Sequence, residues 1–191
     1  MGQISVGKNV GGIVGLCVIT PAVHGDERGY FMETYSRRDM EETGIAADFV
    51  QDNESRSRKG VLRGLHFQRK HPQAKLVRVL EGAVFDVAVD LRDGSATYGQ
   101  WHGELLTGEN RRQFYVPRGF AHGFLVLSET ATFFYKCDDF YYPEDEGGIA
   151  WNDPRIGIAW PQVAGERLSD GTPLLLAERD RHWPCLTELE R

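Results

Sequence analysis

This chain of 191 residues has few cysteines and no long hydrophobic run. Cys17, Cys137 and Cys185 are odd in number and widely spaced, which favours reduced thiols in a cytosol over a disulfide framework. The apolar stretch at residues 13–19 is far too short to span a membrane and lacks the features of a signal peptide. We interpret this stretch as a strand, and we expect a cytoplasmic protein with no membrane partner.

An excess of positive charge is also absent. Lysine and arginine total 22 against 28 aspartates and glutamates, so the net charge of −6 argues against bulk binding to nucleic acid. No repeat, low-complexity stretch or linker stands out. With 41% hydrophobic and 26% charged residues, residues 1–191 are expected to form a single domain whose core needs neither a metal nor a disulfide.

Helical signals are scarce as well. One helix is predicted at residues 36–42, because Ser36 can cap its first turn and Asp39 occupies the capping-box position. Gly44 can then end the helix. The rest of the chain is therefore expected to contain little helix.

Short strands dominate that remainder. Apolar and acidic side chains alternate along residues 83–91, which places Asp86 and Asp90 on the face opposite the apolar one. Because Glu81-Gly82 is a tight-turn signal, residues 76–80 and 83–91 are predicted to form a hairpin. The further predicted strands are residues 113–116, 124–127 and 130–136. Many short strands separated by turn signals indicate a β-sandwich or barrel.

One short segment concentrates chemistry. Residues 61–68 read Val-Leu-Arg-Gly-Leu-His-Phe-Gln and place His66 in a strand close to Arg63. Lys75 follows nine residues after His66, and Tyr135 lies far downstream. A base, two cations and a phenol are the groups needed to move a proton next to a carbonyl.

Each of these residues also has a structural interpretation. A single histidine in a strand is usually structural, and Tyr135 shares a strand face with Phe133, beside which it could simply pack. Arg63 could be a solvated edge charge, and Lys75 could protect the start of a strand. Their joint occurrence, rather than any one of them, favours a site.

A second segment, residues 117–123, reads Pro-Arg-Gly-Phe-Ala-His-Gly. Its proline and glycine force a sharp loop, after which His122 begins the next strand. This pattern resembles the second motif of the cupin jelly rolls. Metal-binding cupins carry His-x-His and a glutamate before that motif, whereas here His66-Phe67-Gln68 supplies one imidazole and one amide. We therefore predict that the protein holds no metal.

The chain as a whole resembles the dTDP-4-dehydrorhamnose 3,5-epimerases, a metal-free cupin family. The matching segments are residues 25–29, 49–53, 61–68, 75–91, 98–101, 109–113, 117–128, 134–136 and 151–154. The resemblance implies a mainly β protein, a cupin-type double-stranded β-helix (jelly roll) with a few short helices. It also implies a cofactor-independent double epimerisation, from dTDP-4-dehydro-6-deoxy-D-glucose to dTDP-4-dehydro-L-rhamnose.

The resemblance assigns roles to the residues above. The C4 ketone acidifies the hydrogens at C3 and C5, and histidine exchanges protons near neutral pH, so His66 is the expected base. Tyr135 would return a proton from the opposite face. Lys75 would stabilise the enolate oxygen, with Arg63 and His122 as helpers.

The base also needs an orienting carboxylate. In the family this carboxylate comes from a C-terminal segment of the form Leu-Ser-x-Lys-Asp. Asp170 follows Leu168-Ser169 but is followed by glycine, whereas residues 176–181 keep the fuller pattern. We favour Asp180 over Asp170, although both could be surface acids on a loop.

Substrate binding follows from the same resemblance. The positions that match the family's pyrophosphate, thymine or sugar contacts are Arg28, Glu33, Gln51, Asn53 and Arg63. Tyr141 matches an aromatic residue that encloses the nucleotide, and a homodimer is implied because each site borrows residues from the partner chain. Two alternatives stay open, a deoxysugar epimerase that inverts only C3 or C5, and a non-catalytic sugar-binding cupin.

Overall fold

The computed structural model describes residues 3–189, which are mainly β. The strands are β1 (Ile4–Lys8), β2 (Cys17–Pro21), β3 (His24–Asp26), β4 (Gly29–Phe31), β5 (Gln51–Arg58), β6 (Leu62–Gln68), β7 (Lys75–Glu81), β8 (Ala83–Asp90), β9 (Trp101–Thr107), β10 (Gln113–Val116), β11 (Phe120–Val126), β12 (Thr130–Cys137), β13 (Glu146–Gly148), β14 (Val163–Ala164) and β15 (Arg167–Leu168). The α-helices are α1 (Arg37–Glu42) and α2 (Leu186–Leu189), and short 3-10 helices occupy Val10–Gly12, Pro143–Asp145 and Arg179–Arg181.

Two antiparallel sheets make the body of the protein. The larger has six strands in the order β1-β2-β10-β7-β12-β5, and the other has five in the order β13-β6-β11-β8-β9. Buried side chains from both sheets, among them Val77, Phe114, Phe124 and Phe133, form one common core. Two antiparallel sheets closed around one interior are the predicted jelly roll.

The central strands of the five-stranded sheet, β8 and β11, are largely buried on both faces. On β8 the predicted alternation is present: Val84 and Ala88 belong to the core between the sheets, whereas Val87 and Val89 pack outward. Residues 149–189 cover that outer face and contribute Trp151 to the packing. Asp86 and Asp90 are themselves fully buried, so this strand has no solvated face.

Helix α1 begins and ends where the sequence predicts. The Ser36 hydroxyl accepts a hydrogen bond from the Asp39 backbone N–H over 3.3 Å, which satisfies one of the free donors at the helix start. Met40 is buried and packs with Ile19 and Leu76 against the outer face of the six-stranded sheet. The helix therefore covers part of the outer face of that sheet.

The predicted hairpin at Glu81-Gly82 is wrong. Strand β7 pairs with β10 and β12, whereas β8 pairs with β11 and β9, so the turn carries the chain from one sheet to the other. Gly82 has φ +82°, and a Cβ there would lie 2.1 Å from the carbonyl oxygen of Thr130. Only glycine fits this corner, which local turn signals cannot distinguish from a hairpin turn.

The strand predicted at residues 13–19 is correct only in its last part. Strand β2 begins at Cys17, and the preceding residues form a turn in which Asn9 accepts a hydrogen bond from the Gly15 N–H over 2.9 Å. Ile13 and Leu16 are nonetheless fully buried, which explains the apolar signal. Within residues 3–189 no helix is long and apolar enough to cross a bilayer, and all three cysteines are free thiols.

Candidate active site

A cavity of about 430 Å³ opens into the interior of the jelly roll. The predicted site residues that line it are Gln51, Asn53, Arg63, His66, Lys75, His122, Tyr135 and Tyr141. They come from both sheets, because β5, β7 and β12 supply one wall and β6 and β11 supply the other. The fold thus brings together residues that lie up to 90 positions apart in the sequence.

His66 is held by a buried carboxylate. Its Nε2 lies 2.7 Å from Asp180 Oδ1, and the Gly64 backbone N–H donates to Asp180 Oδ2 over 3.3 Å. The side chain of Asp180 is only 2% exposed. Burial alone would raise the pKa of Asp180, but the hydrogen bonds from His66, Gly64 and Trp183 outweigh it and lower the pKa.

The other candidate carboxylate lies elsewhere. Asp170 Oδ2 is 2.6 Å from Lys59 Nζ, and Asp170 Oδ1 accepts a hydrogen bond from the Thr172 N–H in a turn. It takes no part in the cavity lining. Of the two carboxylates considered from the sequence, the structure therefore places Asp180, and not Asp170, against His66.

A second histidine–carboxylate pair is formed by His122, which lines the same cavity, and the buried Asp86. His122 Nε2 is 2.9 and 3.0 Å from the two oxygens of Asp86, and His122 is directly opposite His66 across the β6–β11 pairing. Burial lowers the pKa of His122, which favours the neutral imidazole. The sequence placed Asp86 on the strand face opposite the apolar one, but period-2 alternation shows only which face a residue occupies and not what covers that face.

Lys75 is a cation whose charge acts on both members of this pair. It begins β7, lines the cavity and lies opposite Cys137 in the β7–β12 register. Burial lowers the pKa of Lys75, while the charges of nearby groups, including Asp86, oppose this shift. An ammonium held in such poorly solvated surroundings gains strongly from any negative charge that forms next to it.

Tyr135 faces the cavity from β12. Its ring packs against the core residue Phe133, with ring centroids 5.8 Å apart. Burial raises the pKa of Tyr135 to about 12, so the phenol keeps its proton at neutral pH. Packing in the core and access to the cavity are therefore compatible for this residue.

The outer part of the cavity is polar and aromatic. Gln51 and Asn53 bond to each other over 3.1 Å, and the backbone N–H of Tyr141 donates to Gln51 Oε1 over 3.2 Å. The Tyr141 hydroxyl and Arg179 Nη1 both donate to Glu146 Oε2, over 3.1 and 2.6 Å.

Glu146 and Arg179 were missed by sequence reasoning, although both line the cavity. The only sequence signal for Arg179 is its place directly before Asp180. Glu146 lies in an acidic segment, residues 144–146, with no distinguishing pattern. Both residues are therefore identified by the structure alone.

Two predicted substrate contacts do not line this cavity. Arg28 lies in the β3–β4 hairpin, pairs with Asp26, and has a side chain that is 85% exposed. Glu33 follows β4 and is half-buried. Within residues 3–189 of one chain, the fold thus keeps Arg28 and Glu33 away from His66.

Gln68 stands where metal-binding cupins place a second imidazole. Its amide donates to the carbonyl oxygens of His71 and Phe140, over 2.6 and 3.2 Å, and accepts from the Tyr142 N–H over 2.8 Å. These bonds tie the loop that follows β6 to the loop that follows β12, beside the cavity. In the part of the chain that the structure describes, no cluster of three or more His, Cys, Asp or Glu side chains is arranged to hold a metal ion.

Comparisons with known proteins agree on one family. The family model described as dTDP-4-dehydrorhamnose 3,5-epimerase matches residues 11–188. An enzyme of that name from Methanothermobacter thermautotrophicus is 55% identical over 174 residues, which are 91% of each chain.

Solved structures extend the comparison. A dTDP-6-deoxy-D-glucose-3,5-epimerase from Legionella pneumophila, in complex with dTDP-4-keto-L-rhamnose, is 50% identical with a TM-score of 0.88, covering 96% of this chain and 93% of that one. A 3′-monoepimerase from Streptomyces bikiniensis, in complex with dTDP-quinovose, is 32% identical with a TM-score of 0.82, covering 100% of this chain and 90% of that one.

Proposed function

This chain belongs to the dTDP-4-dehydrorhamnose 3,5-epimerase family, and from that premise we propose how its cavity inverts two carbons of a dTDP-sugar. The reaction converts dTDP-4-dehydro-6-deoxy-D-glucose to dTDP-4-dehydro-L-rhamnose, a step of dTDP-rhamnose biosynthesis. The observation that carries the mechanism is that His66, bonded to the buried Asp180, lines one cavity together with Tyr135 and Lys75.

His66 is the base of this mechanism. Because its Nε2 is bonded to Asp180, the nitrogen left to accept a proton from carbon is Nδ1. The imidazolium formed in this step is stabilised by the Asp180 carboxylate, whose lowered pKa keeps it ionised. Proton abstraction therefore does not place an uncompensated charge in the interior.

One base can serve both centres. In the chair form of a gluco-configured 4-ketone, the hydrogens at C3 and C5 are axial on the same face of the ring. The C4 ketone acidifies both of them, and either abstraction gives an enolate whose oxygen is the former carbonyl oxygen. A modest shift of the sugar then presents each carbon in turn to His66 Nδ1.

Tyr135 is the acid on the opposite face. Its pKa of about 12 keeps the phenol protonated at neutral pH, and the proton it gives to carbon inverts the centre. In each cycle the Tyr135 phenolate regains a proton from solvent, and the His66 imidazolium releases the proton it took from carbon to solvent, both through the open end of the cavity. The acid and base thus return to their starting states without any cofactor.

The enolate oxygen is stabilised by Lys75, and Arg63 contributes positive charge from β6. A preorganised donor of this kind contributes about 3 kcal/mol to the transition state. His122 plays a different part, since a neutral imidazole that donates Nε2–H to Asp86 offers Nδ1 as an acceptor. That arrangement suits a hydroxyl of the sugar.

The nucleotide lies toward the outer part of the cavity. Gln51 and Asn53 offer amides for the base or the sugar, and Tyr141, 46% exposed, offers a ring on which thymine can stack. Arg179, held by Glu146, supplies a guanidinium for the pyrophosphate.

A second copy of the chain completes each site in this proposal. The β3–β4 hairpin presents Tyr30 and Phe31, which are 58% and 71% exposed. Arg28 lies in the same hairpin and is also exposed. An exposed aromatic hairpin of this kind is typical of a surface that a partner covers. Arg28 and Glu33 would then contact the nucleotide bound in the partner's cavity.

Mixed dimers test this sharing. Arg28→Ala and His66→Asn chains, each nearly inactive alone, are unfolded, mixed and refolded together. If Arg28 acts in the partner's site, half of the sites in a mixed dimer are intact, so about a quarter of wild-type activity returns with random pairing. If both residues act in one chain, no such recovery occurs.

The most direct test of the reaction uses D2O. Protein and substrate are incubated, and deuterium at C3 and C5 is followed by NMR. The double epimerase incorporates deuterium at both carbons of the product. Incorporation at one carbon only would make this protein a single-centre epimerase like the Streptomyces relative, and binding without exchange would make it a sugar-binding cupin. We also propose that the enzyme works in the cytoplasm, where its free thiols stay reduced.

A further inference from the structure

Trp183, a residue outside the cavity lining, contacts both members of the His66–Asp180 pair. Its indole Nε1–H donates to Asp180 Oδ1 over 3.1 Å, and the same oxygen lies 2.7 Å from His66 Nε2. The indole also meets the imidazole edge to face, with ring centroids 6.2 Å apart and planes inclined at 73°. Trp183 is therefore placed to act on the base, and not on the sugar.

The indole is itself fixed in place. Its ring lies on the backbone of Gly148, where a Cβ would come within 2.3 Å of the ring. Gly148 is paired with His66 across β13 and β6, so the ring rests on the strand beside the base. On the other side, Ala150 N–H donates to the carbonyl of Pro184 over 2.9 Å, which anchors the residue after the tryptophan.

Asp180 needs such support because its carboxylate has a competing partner. Arg179 Nε lies 3.7 Å from Oδ1, the oxygen that His66 uses. Gly64 N–H holds only the other oxygen, Oδ2, and at a longer distance of 3.3 Å. The Trp183 N–H supplies a second donor on the His66 side, and it therefore opposes rotation of the carboxylate toward Arg179.

We propose that Trp183 is a positioning residue of this epimerase, whose indole N–H holds Asp180 against His66 so that His66 Nδ1 stays directed at the substrate carbons. This inference rests on the proposed role of His66 as base. It predicts that the indole N–H contributes to kcat, since a small misplacement of a base lowers the rate of proton transfer, and that it contributes little to substrate affinity.

The decisive experiment removes the N–H and keeps the ring. A benzothienylalanine incorporated at position 183 retains the size and shape of tryptophan but has sulfur in place of N–H, and Trp183→Phe is the simpler companion. We expect kcat to fall about 3- to 20-fold in both variants, with KM within about twofold of wild type. A residue that only fills space would leave kcat unchanged in the benzothienylalanine variant.

Trp160→Phe is the matched control. Trp160 Nε1 donates to the carbonyl of Trp151 over 2.8 Å in the segment that covers the same sheet, away from the cavity lining. Its replacement should lower the melting temperature and leave kcat near wild type. The inference fails if the benzothienylalanine variant turns over normally, if Trp160→Phe loses as much kcat, or if KM alone changes. His66→Asn is measured in parallel, and normal turnover there would overturn the proposed base itself.

Discussion

Replacement of Asp180 by asparagine tests the site most sharply, because the change is nearly isosteric and removes one negative charge. Asp180 Oδ1 accepts from His66 and Trp183, and Oδ2 accepts from the Gly64 N–H. Asparagine has one acceptor oxygen, so in either orientation its NH2 group faces a donor. The substitution thus removes at least one hydrogen bond and also removes the negative charge that balances the His66 imidazolium.

The two effects have different sizes. Leaving a buried donor unsatisfied costs about 1–3 kcal/mol of folding stability. The loss of charge acts on the step in which His66 becomes positive, and comparable changes in histidine–aspartate pairs lower kcat by about 10⁴-fold, which is about 5.5 kcal/mol in the barrier. We expect a loss of 10²- to 10⁴-fold in kcat, with nucleotide affinity nearly intact, because Asp180 does not line the cavity.

The assay measures kcat and KM by a coupled reductase or by NMR, with dTDP affinity determined by calorimetry. Asp170→Asn is the matched control, since Asp170 bonds to Lys59 away from the cavity, and it should turn over normally. A folded Asp180→Asn enzyme with wild-type kcat would refute the reasoning. A large loss of kcat in Asp170→Asn would show that Asp170, and not Asp180, orients His66.

Three further predictions follow from the same structure. His66→Asn should fold and dimerise yet lose at least about 10²-fold in kcat, measured by steady-state kinetics, and near-normal turnover would exclude it as the base. Tyr135→Phe should still exchange substrate hydrogen with D2O while inverted product falls, and full product at the normal rate would place the acid elsewhere. Asp90 is fully buried, and burial alone would raise its pKa. Hydrogen bonds from Arg92, Ser95 and Thr97 outweigh this effect and lower the pKa. The contribution of ionised Asp90 to folding stability is therefore complete above pH 3.8 and is lost as the pH falls further. Asp90→Asn should therefore lower the free energy of unfolding by about 2 kcal/mol at pH 7. The difference in this free energy between wild type and variant, measured by urea unfolding, should become smaller toward pH 3. A difference that does not depend on pH would contradict this account.

The sequence by itself determined the local elements and the chemical groups. Alternation along residues 83–91 predicted β8, and Ser36 with Asp39 predicted α1, because such signals depend on neighbours within a few residues. The segments around His66, Lys75, His122 and Tyr135 also indicated the family. Each of these signals lies within a contiguous stretch of the chain.

The pairing of distant segments could not be read in the same way. Gly82 gives the same local signal whether it closes a hairpin or carries the chain between sheets, and only the packing against Thr130 decides. Likewise, the choice between Asp170 and Asp180 depended on which carboxylate folds back 114 residues onto His66. The sequence favoured Asp180 by its local pattern but could not show the contact.

Only the tertiary structure revealed the groups that act through other residues. Asp86 bonds to His122, Glu146 holds Arg179, and Trp183 shares an oxygen of Asp180 with His66. No local pattern marks these residues, because their roles arise from close approach between strands and a C-terminal segment far apart in the chain. Periodicity depends on the nearest neighbours in sequence, whereas burial, hydrogen bonding and the resulting pKa shifts depend on the nearest neighbours in space.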